Sequence, residues 1–148
     1  MMFHRPRPTS AFLAFLLSIL GQQASATASN TASSRFTFCH SGGGVNCVVD
    51  GDTFWMSGEK VRIADIDTPE THNPRCETER KLGDRATRRL QALLNAGAFS
   101  TRRIDRERDR YGRLLRIVTR DGRSIGSMLV AEGLARPWTG SRQPWCRS

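Results

Sequence analysis

Between Glu77 and Gly97 the apolar residues Leu82, Ala86, Leu90, Leu93 and Leu94 recur at three- and four-residue spacing, with charges between them. This spacing predicts an amphipathic helix, and Gly97 can end it as the residue just past the cap. On both sides the pattern is strand-like. RFTFCH (35–40), VNCVVD (45–50), TFWM (53–56) and VRIADI (61–66) precede the helix, and AFSTRRIDRE (98–107) and RYGRLLRIVTR (110–120) follow it. Trp55 in TFWM is expected in the core. A short second helix is predicted in SIGSMLVAEG (124–133), and LARPW (134–138) is a closing segment. A doubly wound parallel sheet needs strand and helix to alternate, which this order does not do. Five or so strands, with one helix after the third and a short one near the C-terminus, predict a mainly β, α+β domain. A small closed or nearly closed barrel suits that order.

The chain opens differently. Arg5 and Arg7 precede the apolar run Ala11–Leu20, and Ala24-Ser25-Ala26 is a small-residue cleavage site. These are the parts of a secretory signal peptide, expected over residues 1–26; Ala26-Thr27-Ala28 is an alternative cut. The rival is an uncleaved anchor, but the apolar run is short for a bilayer. Residues 27–35 are then a flexible N-terminus and 36–148 the folded domain, secreted or periplasmic and free of the membrane after cleavage. The formal net charge of +9 falls to +7 once Arg5 and Arg7 are removed, since no acid precedes the cut. Almost all of that charge is arginine, whose planar fork suits phosphate. A basic exported domain fits a polyanionic partner such as nucleic acid, polysaccharide or an anionic surface.

The chain has four cysteines, Cys39, Cys47, Cys76 and Cys146. An even count in an exported chain favours two disulfides. Of the three connectivities, the preferred one joins Cys39 to Cys47 around Gly42-Gly43-Gly44, and Cys76 to Cys146. A zinc site is the rival, weakened by the absence of C-x-x-C and by scattered histidines. His40 and His72 read as surface residues.

Asp50, Asp52, Asp65, Asp67 and Glu70 crowd two adjacent strand segments. Taken singly they are turn and loop residues, Asp50-Gly51 being a good hairpin dipeptide. Taken together they gather like charge at one end of a sheet, which needs a compensating cation. Hard carboxylate oxygens with a backbone carbonyl suit Ca²⁺ or Mg²⁺. Arg62 lies five residues before Asp67, an odd spacing that puts the two on opposite faces of a regular strand. They can meet only if the strand bends or bulges near Ala64–Ile66. The arginines at 102, 103, 106, 108 and 110 read as a solvated strand end and loop, with non-specific phosphate contact the alternative.

VVDGDTF, VRIADIDTPET, DRYGR and LVAEGLA occur in that order with suitable gaps. From Val45 to Trp138 the chain resembles the staphylococcal nuclease (thermonuclease) family. That resemblance implies a five-stranded OB-fold barrel and a Ca²⁺-dependent nuclease acting on DNA and RNA as a monomer, with no protein partner. It favours single-stranded or open regions and leaves 3′-phosphate ends. It further implies Asp52, Asp67 and the Thr68 carbonyl as calcium ligands, with Asp50 behind them. Glu70 would be the general base, and Arg62 and Arg113 the phosphate clamp. Tyr111 would lie near the nucleotide. Trp138 and Trp145 fall where the family carries stacking tyrosines; Trp138 can stack on a base instead, or pack under the tail. The chain ends soon after Trp145, where the family continues into a third helix, and the Cys76–Cys146 bridge is expected to tie down the terminus in its place. A catalytically silent nucleic-acid-binding OB domain is the main alternative. Such a copy would be expected to lack at least one of Asp52, Arg62, Asp67, Glu70 and Arg113, and all five are present. A disulfide-stapled adhesion or inhibitor module is the third reading.

Overall fold

The computed structural model describes residues 35–40 and 43–146. The expected signal peptide (1–26) and all but Arg35 of the expected flexible N-terminus lie outside them. No helix among the described residues is long and apolar enough to cross a membrane.

Five strands come first: β1 (Thr37–Phe38), β2 (Cys47–Asp50), β3 (Thr53–Met56), β4 (Glu59–Ile63) and β5 (Ile66–Asp67). Helix α1 (Glu77–Asn95) follows, then β6 (Ser100–Arg108), β7 (Leu114–Arg120), β8 (Arg123–Ser124), α2 (Ile125–Ala131) and β9 (Arg136–Pro137). The main sheet has the order β1-β2-β3-β4-β7-β6, with β8 added to β7; β5 and β9 form a separate antiparallel pair. β2, β3 and β4 make an antiparallel meander, and β4 meets β7 in parallel. The five strands of four or more residues, β2, β3, β4, β6 and β7, are the five of the expected fold, a mixed OB-like sheet with two helices. Among the described residues its hydrogen-bonded order is an open path.

Among those five strands α1 follows the third, as the sequence pattern places it; the two-residue β1 and β5 raise the number before it to five. Two local events add them. RFTFCH keeps only the two-residue β1, which pairs in parallel with β2. VRIADI splits into β4 and β5 at the turn Ala64–Asp65.

The core sits between the sheet and the helices. Phe36, Phe54 and Phe99 are fully buried and meet at ring-centroid distances of 5.8, 5.8 and 6.3 Å. Ala86, Leu90, Leu93 and Leu94, on the apolar stripe of α1, close over them. The helix also clamps the chain's entrance: Asn95 accepts from the Phe36 amide and donates to its carbonyl, both at 2.8 Å. Trp55 is half-buried rather than in the core. Strand alternation turns Phe54 inward and Trp55 to the other face, where Gly43 lies flat on the indole. A Cβ at Gly43 would sit 2.8 Å from Trp55 Cζ2.

Both preferred disulfides are present. Cys39–Cys47 ties the end of β1 to β2, and Cys76–Cys146 ties the head of α1 to the tail. With all four sulfurs bonded, the zinc alternative falls. The three-ring cluster gives a direct test of the core. Phe54→Ala should cost about 3–5 kcal/mol in a denaturant titration; a loss below about 1 kcal/mol would show that the three rings do not form one packed unit.

Candidate active site

The turn between β2 and β3 carries Asp52. Its tightness depends on Gly51, where a Cβ would sit 2.6 Å from that of Ala86 on α1. The turn therefore seats on the helix, and Asp52 is buried at 2 % exposure. Register then brings in an arginine: Thr53 on β3 pairs with Arg62 on β4. Arg62 Nη2 lies 3.5 Å from Asp52 Oδ2, and Thr53 Oγ1 donates to Asp52 Oδ1 at 2.8 Å.

Arg62 also accounts for the break in its own strand. Its guanidinium donates to the carbonyls of Ile63 and Ile66, both at 3.1 Å, on either side of the turn Ala64–Asp65. That irregularity reverses the odd-spacing problem. Asp67, beyond the turn, comes round with Oδ1 3.8 Å from the same Nη2. Asp67 and Thr68 are both buried.

Two carboxylates thus share one guanidinium, and they are left short of partners. Asp52 Oδ2 and Asp67 Oδ1 are buried without a hydrogen bond. Buried carboxylate oxygens are rarely left this way. Burial, reinforced by the Asp52 charge, pushes the Asp67 carboxyl above its ordinary range despite Arg142, Trp145 and Arg62 nearby. Burial and the same neighbour push Asp50 up to about 7. Asp50 itself stands behind Asp52, its Oδ1 accepting from the Asp52 amide at 3.4 Å. Unpartnered hard oxygens with too little positive charge fit a small divalent cation, and the Thr68 carbonyl is of the right chemistry to join them. Among the described residues Cys76, Glu79 and Cys146 bring ligand-type atoms within 4.8 Å of one another, but the two sulfurs are spent in a disulfide.

Arg113 arrives from the opposite side. Asp109 Oδ1 accepts from the amides of Tyr111 and Arg113 at 2.9 and 3.0 Å, folding the five-residue turn, and Gly112 takes a φ of +78° within it. Asp109 Oδ2 then holds Arg113 Nε at 2.7 Å. Burial opposes ionisation of Asp109, but the Arg113 and backbone hydrogen bonds outweigh it and hold this carboxyl below its usual range. Arg113 Nη1 donates to Thr53 Oγ1 at 3.4 Å, the hydroxyl that in turn donates to Asp52.

Arg62, Glu70, Tyr111, Arg113, Trp138 and Arg142 line one cleft of about 790 Å³. Tyr111 is 68 % exposed and lies 5.5 Å from the Arg113 guanidinium; Trp138, 39 % exposed, lies 4.9 Å from that of Arg62. Of the expected site residues, Arg62, Glu70, Tyr111, Arg113 and Trp138 line this cleft; Asp52 and Asp67 lie against Arg62, with Asp50 beside Asp52 and Thr68 next to Asp67 in the chain. His40 and His72 are exposed, as expected, and so are the arginines at 102, 103, 106, 108 and 110.

Three contributors were not legible in the sequence, and a fourth, Trp145, was read only as a stacking or packing residue. Glu79 is buried in the first turn of α1, where its carboxylate accepts from the amides of Glu70 and Arg75 at 3.5 and 2.7 Å and so holds the Glu70 loop. Asp109 reads as one more charge in an alternating run. Arg142 and Trp145 come from the tail: Arg142 pairs with Asp67 and Glu70, and Trp145 Nε1 donates to Asp67 Oδ2 at 3.3 Å. The Asp109 spacing, two and four residues before the amides it binds, was the one usable signal.

Asp50 makes the charge imbalance measurable. Its folded value of about 7 exceeds the ordinary 3.8, so between them the native state holds a proton that the unfolded chain has lost. Stability in chelator should therefore fall as pH rises from about 4 to 7, and Asp50→Asn should flatten that fall. Denaturant midpoints at pH 5 and 7.5 read it; an equal fall in the variant would contradict the assignment.

The site can be set beside known proteins. The family model described as staphylococcal nuclease homologue matches residues 60–144. The chain is 42 % identical over 94 residues to endonuclease YncB of Bacillus subtilis (strain 168), covering 60 % of this chain and 44 % of that protein. It is equally similar to the SPbeta prophage-derived endonuclease YokF of the same strain, over 31 % of its length. The succinoglycan biosynthesis protein ExoI of Rhizobium meliloti (strain 1021) is 36 % identical over 93 residues, 60 % of this chain and 48 % of that protein. The chain thus spans less than half the length of the curated relatives it matches. The matched region holds Arg62, Asp67, Thr68, Glu70 and Arg113 and more than half of the chain, which belongs to the staphylococcal nuclease homologue family.

Proposed function

We propose that this domain is an exported Ca²⁺-dependent nuclease that hydrolyses DNA and RNA, preferring single-stranded or open regions and leaving 3′-phosphate ends. One observation carries the reading. Two buried carboxylates with unpartnered oxygens lie against Arg62, at the foot of a cleft that also presents Arg113 and Glu70. The endonuclease names of two relatives point the same way. Export to the periplasm or the medium rests on the leader pattern of residues 1–26.

Asp52, Asp67 and the Thr68 carbonyl would hold Ca²⁺, with Asp50 behind them. The ion would supply positive charge for the phosphoryl oxygens and fix the substrate for in-line displacement. Arg62, set by the Ile63 and Ile66 carbonyls, and Arg113, set by Asp109, both line the cleft and would clamp the phosphate there. Charge-assisted, forked hydrogen bonds of this kind strengthen as charge builds on those oxygens. Glu70 receives a proton from the attacking water. A water oxygen–phosphorus bond forms, the bond from phosphorus to O5′ breaks, and solvent protonates the departing O5′. The phosphate stays on the 3′ side. Tyr111 and Trp138 flank the cleft as flat surfaces for the neighbouring bases.

Pre-formed charge in this cleft sets the sizes expected. On the exported chain with disulfides formed, cleavage of single-stranded DNA should stop in chelator. Glu70→Gln should lower the rate by about 10²-fold or more. Chelator-resistant cleavage, or full activity in Glu70→Gln, would refute this mechanism. Ca²⁺-independent binding with no cleavage would favour the silent OB domain instead.

Asp109 positions Arg113 through its Oδ2, which holds the Arg113 Nε. Asp109→Asn should therefore lower kcat by about tenfold and leave the Ca²⁺ requirement unchanged. Unchanged kcat would mean Arg113 is held by its turn alone.

A further inference from the structure

Arg142 occupies the two carboxylates that the proposed reaction needs. Its Nε lies 3.2 Å from Asp67 Oδ1, and its Nη1 meets Glu70 Oε1. Asp67 would hold the cation and Glu70 would take the proton. Yet Asp67 Oδ1 makes no aligned hydrogen bond, so its contact with Arg142 is Coulombic. The Arg142 side chain is 44 % exposed and already lines the cleft beside Arg62 and Arg113.

Its place is built by the fold. Residue pairing in the β5–β9 ribbon sets Arg136 opposite Asp67. Beyond β9 the chain loops out and returns. Arg136 stacks on Trp145 at 3.7 Å and donates to the Pro144 carbonyl at 3.0 Å. Trp145 donates to Asp67 Oδ2, and the next residue, Cys146, is bonded to Cys76 at the N-cap of α1. The loop is pinned at both ends beside Asp67, with Arg142 between the pins.

A dication on Asp52 and Asp67 would repel both guanidiniums beside Asp67 Oδ1; Arg62 is buried and bonded to the Ile63 and Ile66 carbonyls, so the half-exposed Arg142 is the one that can yield. Arg142 must then swing away from Asp67, and the pins keep it in the cleft. The anion available there is the substrate's phosphate. We infer that Arg142 is a third phosphate-binding arginine of this site, parked on Asp67 and Glu70 before metal and substrate arrive and transferred to a substrate phosphate once both bind. This rests on the nuclease reading and adds a residue to it. The same contact also keeps Glu70 from acting while the cleft is empty.

Two effects of opposite sign follow from removing the side chain. In Arg142→Ala, Ca²⁺ alone should bind about two- to fivefold more tightly, as a competing surface cation is gone. A single-stranded DNA oligonucleotide with Ca²⁺, in the Glu70→Gln background to prevent cleavage, should bind about tenfold more weakly. Its salt dependence should flatten by about one charge. Arg142→Lys should restore the oligonucleotide affinity only in part, because it keeps the charge and loses the fork. Calorimetry reads the ion and fluorescence anisotropy the oligonucleotide, both on the disulfide-bonded protein.

Unchanged Ca²⁺ affinity would overturn the parked state, and unchanged or tighter oligonucleotide binding would overturn the phosphate role. Weakening of both ligands would make Arg142 a prop for the tail, which also overturns the inference. If the unmodified protein cleaves and these shifts are absent, only Arg142 loses its role. If it neither binds nor cleaves nucleic acid, the nuclease reading fails and takes this inference with it.

Discussion

The Arg62 guanidinium is wedged between the carboxylates of Asp52 and Asp67 and bonded to the carbonyls of Ile63 and Ile66. The first pair of contacts lets two like charges be buried side by side. The second pair fixes the turn that ends β4 and brings Asp67 back towards Asp52. One buried side chain thereby sets the backbone path and the electrostatics of the site together. Its positive charge is still shared between two carboxylates, and both keep an oxygen unpartnered. Removing a partner from such a buried cluster costs several kcal/mol, and Arg142 adds positive charge beside Asp67 only. The proposed divalent cation, held by hard oxygens, would complete the balance.

Supporting contacts run outward from there. Gly51 seats the Asp52 turn on α1, Glu79 on the same helix holds the Glu70 loop, and Asp109 aims Arg113. Cys76 both accepts from the Glu79 amide as the helix N-cap and anchors the tail through its disulfide. The loop that holds Glu70 and the tail that covers it are therefore fastened at one point. Linking distant segments by a disulfide restricts the unfolded chain as well as the native one.

Much of this was legible in the sequence, for definable reasons. The helix showed itself by its period, because its apolar stripe must face the Phe36–Phe54–Phe99 core. The need for a strand irregularity followed from the odd Arg62–Asp67 spacing alone, since side chains alternate along a strand. The disulfides were expected from an even cysteine count behind a leader-like N-terminal pattern. The split of VRIADI into two strands was not legible, because it depends on hydrogen bonds from Arg62 to carbonyls on both sides of the turn. Trp55 was misplaced because hydrophobicity does not say which face of TFWM turns inward. The tail was the largest omission. Arg142 and Trp145 sit in a polar segment with no periodicity, and the β5–β9 pairing, Arg136 and the Cys76–Cys146 bridge together bring them to Asp67.

The central claim is that Asp52 Oδ2 and Asp67 Oδ1 lack hydrogen bonds because they hold a cation. A crystal structure of the disulfide-bonded protein grown in Ca²⁺ tests this most directly. The account predicts one ion bonded to Asp52 Oδ2, Asp67 Oδ1 and the Thr68 carbonyl, with Arg142 displaced from Asp67. A structure with those oxygens free of metal and Arg142 still on Asp67, at a calcium concentration that saturates the protein's activity, would contradict it.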